Sequence, residues 1–305
     1  MKSPAEQADA LLSTAGVRPR DDLRVLRLSG DDQRTWLNGQ ITADVRNTTQ
    51  GDAVYALAVN VKGRVLTDLW VLDRGDALLI ALPSTTLAAV RESFERQIIM
   101  DDVELSTEDE LRVIAVQGPR AESTCEGTQQ AYPCDELGVG GRFVLVSASE
   151  RDGALAALVS AAESEGGCEV DEAGFALARL RVGRPMLGLD FGERAYPQEA
   201  GLKGLAVSFN KGCYLGQEVV CTLEHRGKLS RRLVRLQSIE GTATVGDELA
   251  DDGGHAIGQV TSCAEDGASG RTLALGYTKL AHAVEGRELR APHGRFLVLG
   301  PAGKD

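Results

Sequence analysis

The chain has 305 residues, of which 45 are acidic and 33 basic, and its formal net charge at pH 7 is −12. This balance argues against a general nucleic-acid binder, because counterion release on a polyanion requires an excess of Lys and Arg. A hydrophobic content of 43% argues against a disordered chain. At about 150 residues per domain, the length predicts roughly two domains.

The sequence carries no signal for export or membrane insertion. The N-terminal residues lack an apolar run of signal-peptide length, and no stretch of about 18 apolar residues occurs. The six cysteines are widely spaced and form no CxxC pair, which is typical of reduced thiols. We therefore expect a cytoplasmic protein that has no membrane partner.

The first two thirds of the chain combine strand and helix patterns. Apolar alternation and β-rich runs predict strands at 23–28, 53–59, 64–72, 77–82, 111–116 and 142–147. Helices are predicted after Ser84, which would cap the first of them, at about 153–163 and at 171–183. Two successive β-and-α units predict a pair of two-layer α+β lobes.

The helical periodicity of the sequence ends at about residue 233. Short strand patterns separated by Gly- and Asp-rich turns follow, and they indicate a small barrel or sandwich. We therefore divide the chain into residues 1–232 and a C-terminal β domain at 233–305. The first part holds two lobes, roughly 1–108 and 109–232, which need not be continuous in sequence.

The most distinctive segment is residues 210–218, Asn-Lys-Gly-Cys-Tyr-Leu-Gly-Gln-Glu. Its two glycines permit a tight turn, and Gln217 and Glu218 suit the first turn of a helix whose N–H groups would point toward the Cys213 thiol. A nearby helix N-terminus and a lysine favour the thiolate. Cys213 is therefore a candidate reactive cysteine, although composition alone favours a buried structural one.

Positive charge is concentrated around this segment. Residues 203–235 carry a net charge of +5, which leaves −17 for the remainder of the chain. Such a patch could hold an anionic small molecule or contact RNA phosphates, or it could be a strand edge that charge protects from aggregation. The spacing of Cys213, Cys221 and His225 is too open for a typical zinc site, so we expect no metal.

Asp68 is an acid inside the apolar strand pattern at 64–72. Two interpretations remain open: a desolvated functional carboxylate, and a side chain that faces water from a half-exposed strand. The residue pattern favours the second.

Residues 211–218 are similar to the KGCYxGQE signature of the YgfZ-type folate-binding proteins. These are relatives of the aminomethyltransferase, or T-protein, of the glycine cleavage system. Four further segments resemble the family: residues 37–45 its FLQGQxTNDV, 60–64 its NxKGR, 197–202 its PxEAGL-like segment, and Arg226-Gly227 its closing RG. The resemblance extends from about residue 23 to residue 300.

This resemblance implies two ferredoxin-like lobes and a C-terminal β-barrel around a central channel that binds tetrahydrofolate or a derivative. It also implies a role in iron–sulfur cluster assembly or maintenance, with partners in the assembly machinery or among cluster-dependent enzymes, including tRNA-modifying ones. It places the chemistry on Cys213 and Asp68. The cofactor-binding residues that it implies are Asn60, Arg64, Arg181, Lys211, Gly212, Tyr214, Gly216, Gln217, Glu218 and Arg226.

The chain departs from the family pattern at three positions, one of which is Thr222, where the family's VAR after GQE has an arginine. Arg181 stands where the family commonly has an acid, which anchors the pterin in the T-protein, and Thr67-Asp68 replaces a pair of carboxylates. Two alternatives therefore stand beside the iron–sulfur role. One is aminomethyl transfer to tetrahydrofolate, with Asp68 as the carboxylate near the attacking nitrogen. The other is a scaffold that has lost folate binding, because Arg181 cannot accept the N–H donors of a pterin.

Overall fold

A computed structural model describes residues 2–225, 227 and 229–304 of the chain. This part of the chain folds into two five-stranded sheets with flanking helices and a closed six-stranded barrel. The predicted α+β lobes and small C-terminal barrel are therefore confirmed. No helix in the described residues is long and apolar enough to cross a membrane.

Residues 2–110 contribute the first sheet and one strand of the second. Their elements are α1 (Pro4–Ser13), β1 (Gly16–Pro19), β2 (Leu23–Ser29), α2 (Gln33–Asn38), β3 (Ala53–Val59), β4 (Val65–Asp73), β5 (Leu78–Pro83), α3 (Ser84–Glu95) and β6 (Glu104–Thr107). The antiparallel first sheet has the order β3-β4-β5-β2-β6. The sequence prediction did not include α1, which begins with a reciprocal capping box between Ser3 and Glu6.

The second sheet is completed by β7 (Leu111–Gln117), α4 (Ala121–Thr124), β8 (Ala131–Tyr132), β9 (Gly141–Ser147), α5 (Arg151–Ser164), β10 (Cys168–Glu169) and α6 (Glu172–Val182). Its order is β10-β1-β7-β9-β8. Because β1 pairs with β7 and β10, residues 16–19 belong to this sheet although they precede the first one in sequence. The division of the chain into domains stays a prediction.

The remaining elements are α7 (Lys203–Ala206), α8 (Gln217–His225), β11 (Arg231–Gly241), β12 (Glu248–Ala250), β13 (Ala256–Asp266), β14 (Arg271–Lys279), a 3₁₀ turn (Leu280–His282), β15 (Glu288–Ala291) and β16 (Gly294–Pro301). The barrel has the order β11-β14-β13-β12-β15-β16 and closes between β16 and β11. Leu249, Leu289 and Phe296 are among the apolar side chains that fill it. Closure leaves the barrel without an open edge.

The predicted bounds of the helix at 171–183 are confirmed, whereas the predicted cap at Ser84 is wrong. Asp171 caps α6 by accepting a hydrogen bond from the Gly174 N–H, and Gly183 ends the helix with φ +74°. Ser84, in contrast, is the first residue of α3 and does not cap it, because Pro83 occupies the N-cap position.

The side chains of β4 alternate between two environments. Val65, Thr67 and Leu69 are buried in the first lobe, whereas Asp68 and Trp70 are half-buried on the opposite face of the strand. That face of the sheet packs toward the second sheet, with which it shares a core that includes Leu79, Ala81, Val113 and Phe143. Asp68 therefore points into the region between the two sheets.

A buried ion pair connects α6 to the barrel. Arg179, in α6, donates to Asp190 Oδ2 at 2.7 Å and to Ser262 Oγ at 2.8 Å. Asp190 Oδ1 accepts from the hydroxyls of Thr261 and Ser262, both in β13, at 2.5 Å. The added hydrogen bonds offset the cost of removing both charges from water.

We expect Asp190→Ala to lower the free energy of unfolding by about 3–5 kcal/mol, because it leaves the buried Arg179 guanidinium without a counter-charge. Urea denaturation at pH 7 measures this loss. Glu95→Ala is the matched control, since Glu95 forms an exposed pair with Arg91 within α3 and should change stability by less than about 0.5 kcal/mol. Equal losses in the two variants would contradict a special role of the buried pair.

Candidate functional site

A cavity of about 440 Å³ lies where the first sheet, the second sheet and α6 meet. Its walls include side chains of β3, β4 and β5, the first residues of α3, two residues of α6 and part of the segment 184–193. Small-molecule sites commonly have volumes of about 300–1,000 Å³. The cavity is therefore large enough for a compact organic ligand.

Asp68 lies in the wall of this cavity, next to Tyr55. The Tyr55 hydroxyl donates to Asp68 Oδ2 at 2.8 Å. Surrounding protein desolvates the carboxyl group and raises the pKa of Asp68, although the Tyr55 hydrogen bond and the Arg20 charge act in the opposite direction. Burial also raises the pKa of Tyr55, so its hydroxyl remains a donor. The expectation that Asp68 faces water is thus corrected: it is a desolvated carboxylate.

A network of charges forms another part of the wall. Arg20 donates to both oxygens of Asp22, at 2.8 and 2.9 Å, and through Nη1 to Glu136. These carboxylates outweigh the effect of burial and raise the pKa of Arg20, which therefore stays charged. Arg18 Nη2 lies 3.5 Å from Glu136 Oε1. Glu136 thus borders the cavity between two guanidinium groups.

Aromatic side chains provide flat apolar surfaces beside these charges. The ring centroids of Tyr55 and Trp70 are 5.0 Å apart, and the Arg184 guanidinium lies 5.6 Å from the Tyr55 ring. Phe175 lines the cavity from α6 and is covered on one side by Arg18 at 3.5 Å. Rings next to fixed charges suit a planar ligand that carries polar groups on its edges.

The cysteine motif lies outside the cavity wall, in a second cluster. Buried Lys211 donates from Nζ to the carbonyl oxygens of Asn38, Ile41 and Ala43, at 2.7, 2.7 and 2.6 Å. Burial lowers the pKa of Lys211 to about 8. Lys211 therefore joins the motif at 211–218 to the motif at 37–45, and all three of its donor positions are used in the fold.

The motif at 60–64 belongs to the same cluster. Asn60 Oδ1 accepts from the backbone N–H groups of Lys62 and Arg64 and holds this turn. Gly216 has φ +77°, and a Cβ atom there would lie 2.4 Å from the Asn60 carbonyl oxygen. Gly63 has φ +68°, and a Cβ atom there would lie 3.1 Å from Cβ of Val219, in α8. Only glycine allows the two motifs to pack at Gly216.

Cys213 is exposed at the surface of this cluster, so the interpretation as a buried structural cysteine was wrong. The helix predicted after it is α8, and its first residue, Gln217, accepts from the Tyr214 N–H at 3.2 Å. Tyr214 is buried, and desolvation raises the pKa of its hydroxyl, whereas Gly212 and Glu218 are exposed. In the described part of the chain, no three His, Cys, Asp or Glu side chains are placed to hold a metal ion.

Two arginines expected to contact a cofactor do not line the cavity. Arg64 donates to the Arg194 carbonyl oxygen at 2.6 Å and lies 3.6 Å from Glu199. Arg181 forms ion pairs with Asp9 and Asp266, at 2.6 and 2.7 Å. Contacts within the fold thus hold both guanidinium groups away from this cavity, and the cofactor contacts expected of them stay predictions. Arg226 lies outside the described residues.

The cavity also contains residues that the sequence prediction missed. Tyr55 could have been found, since it pairs across the sheet with Trp70, two residues from Asp68 on the same face of β4. Glu136 and Arg20 gave no signal, because 116 positions separate these bonded partners and each looks like an ordinary surface charge in sequence.

Comparisons with known proteins agree with this architecture. Residues 2–137 match the family model of the GCVT N-terminal domain. The chain is 26% identical over 223 residues to the tRNA-modifying protein YgfZ of Colwellia psychrerythraea, covering 70% of this chain and 68% of that protein. It is 28% identical over 312 residues to an aminomethyltransferase of Saccharopolyspora erythraea, covering 94% and 84%.

A solved structure shares the fold. The glycine cleavage system aminomethyltransferase T from Bartonella henselae superposes with a TM-score of 0.84 and covers 97% of this chain and 88% of its own. The two sequences are 19% identical, so the match establishes the likeness of the fold alone.

We expect Lys211→Met to lower the free energy of unfolding by about 3 kcal/mol or more, because three carbonyl oxygens lose their charged donor at a buried site. Urea denaturation measures the effect. Lys62→Met is the control, since Lys62 is exposed on the neighbouring turn and should change stability by less than about 0.5 kcal/mol. A stable Lys211→Met protein would show that the cluster does not depend on this lysine.

Proposed function

We propose that the chain is a folate-binding accessory protein of the YgfZ type in the cytoplasm, because its sequence is similar to the tRNA-modifying protein YgfZ and its fold to that of a glycine cleavage T-protein. In this proposal it supports the assembly or maintenance of iron–sulfur clusters and, through them, cluster-dependent enzymes that include tRNA-modifying ones. The observation that carries the folate part is the desolvated Asp68 carboxyl group, bonded to Tyr55 in an aromatic-walled cavity.

The residues in the cavity fit a reduced folate. The pterin ring of a folate carries N–H donors, for which the carboxylates of Asp68 and Glu136 are acceptors. The rings of Tyr55 and Trp70 offer flat surfaces for a planar group. A folate also carries glutamate carboxylates, for which Arg184 at the cavity wall is a suitable partner.

Asp68 is the residue best placed for proton exchange with a ligand. Tyr55 holds one carboxyl oxygen, and the raised pKa brings the group closer to neutral pH than an ordinary aspartate. Aminomethyl transfer to tetrahydrofolate is the second candidate, because it would use the same carboxyl group. Thr67, which stands where the family pattern has another carboxylate, is buried and its hydroxyl bonds to Thr86 Oγ1 at 2.8 Å.

Cys213 supports the second part of the proposal. Its thiol is exposed beside α8, in a cluster that Lys211 and Gly216 hold to the first lobe. The Cys213 thiol lies at the protein surface, where another protein can reach it, and it does not line the cavity that would hold the folate. We therefore assign Cys213 to contact with the cluster-assembly machinery or with client proteins, and Asp68 to the folate.

Folate binding can be followed through Trp70. The chain has two tryptophans, and Trp36 packs against Phe94 in the first lobe, so Trp36→Phe leaves Trp70 as the reporter. We expect 5-formyltetrahydrofolate to change its fluorescence with saturation at micromolar concentration. Asp68→Asn in this background should weaken binding about tenfold or more, because it removes a charged acceptor. No saturation below about 1 mM would refute the proposal.

The role of Cys213 can be tested in cells that lack their own relative of this protein. We expect the wild-type chain to restore cluster-dependent tRNA thiolation and Cys213→Ala to restore less than about a tenth of it, because the exposed thiol is lost. Cys221→Ala is the matched control, since Cys221 lies within α8 and is less exposed. Full restoration by Cys213→Ala at equal protein abundance would remove this thiol from the mechanism.

A further inference from the structure

Glu136, a residue of the cavity wall, has a carboxylate oxygen that the fold leaves without a partner. Glu136 follows β8 and lines the cavity, and its side chain is 11% exposed. Oε1 accepts from Arg20 and lies 3.5 Å from Arg18. Oε2 is buried and has no hydrogen-bond partner in the residues that the structure describes. Such an atom carries a free-energy penalty unless a bound group supplies a donor.

The position of this carboxylate is fixed from several sides. The Glu136 N–H donates to the side chain of Gln117 at 2.8 Å, and Gln117 is fully buried. Arg20, which bonds to Glu136, is itself held by both oxygens of Asp22. An acceptor on so rigid a support is preorganised for one orientation of a ligand.

Other acids of the molecule are less suited to this task. Arg181 occupies the position on α6 from which the family resemblance would supply an acid, and its side chain is bound to Asp9 and Asp266. Asp68 has one oxygen occupied by Tyr55, and its raised pKa favours the protonated form more than in an ordinary aspartate. Glu193 also borders the cavity, but it is exposed to solvent, where water competes for it.

We propose that Glu136 is the specificity-determining residue of the cavity, and that its Oε2 accepts a hydrogen bond from the 2-amino group of a 2-amino-4-oxopyrimidine-type heterocycle. This inference rests on the proposed folate binding and adds the residue that reads the ring. A buried site built to accept an N–H rejects an analogue that presents an oxygen there, because two acceptors would then face each other.

The experiment compares two ligands that differ at this edge. 6-Methyltetrahydropterin carries a 2-amino group, and the corresponding tetrahydrolumazine carries an oxygen in its place. In the Trp36→Phe background we expect at least about tenfold tighter binding of the pterin. Glu136→Gln should weaken pterin binding about tenfold and leave lumazine binding almost unchanged, so that the preference is lost. Glu193→Gln, the matched control, should keep it.

The outcomes separate this inference from the proposed function. If the starting protein binds neither ligand nor 5-formyltetrahydrofolate, the folate proposal fails. If it binds 5-formyltetrahydrofolate but binds pterin and lumazine with equal affinity, Glu136 does not select between the two rings. This outcome is measured on the starting protein alone, without a substitution at position 136. If Glu136→Gln weakens both ligands equally, the residue has a structural role only. Retention of the full preference by Glu136→Gln would also overturn the assignment.

Discussion

The arrangement of the molecule depends on the buried ion pair between Arg179 and Asp190. Both side chains are almost completely removed from water, and such a pair is tolerated only when further hydrogen bonds complete it. Those bonds come from Thr261 and Ser262 of the barrel. Because Arg179 also lines the cavity, the same contact that attaches the barrel to α6 sets one wall of the cavity. The barrel is therefore part of the site's construction even though its own interior is filled with apolar side chains.

A second set of buried polar contacts holds the motif segments against the first lobe. Lys211 satisfies three carbonyl oxygens at the end of α2 and in the chain that follows it, and Gly216 lets the backbone approach Asn60. Basic residues near the motif are bonded in the same way: Lys203 to Glu224, Arg231 to Glu199, and Arg235 to the Arg181 carbonyl oxygen. At least four of the seven basic side chains in residues 203–235 are thus bonded within the fold, and contact of this segment with phosphates stays a prediction.

Two separate sites result from one contiguous fold. The cavity holds Asp68, Glu136 and the aromatic walls, and the motif cluster presents Cys213 at the surface. In the proposed function, the cavity takes the small ligand and the surface of the motif cluster contacts the protein partner. β4 and the turn before it connect the two regions, since the turn at 60–64 packs against α8 and Asp68 lies four residues further along the chain.

The sequence by itself determined the strands and helices that follow strong periodicity, the bounds of α6, the small C-terminal β domain and the helix after Cys213. These are local features, because alternation, capping and turn residues act within a few positions. It also identified Asp68, an acid in an apolar strand. Only the tertiary structure decided that Asp68 faces a cavity, that Glu136 and Arg20 join it, and that Arg64 and Arg181 are bound elsewhere. Each of these depends on partners far apart in the chain, whose burial and pairing no local pattern records.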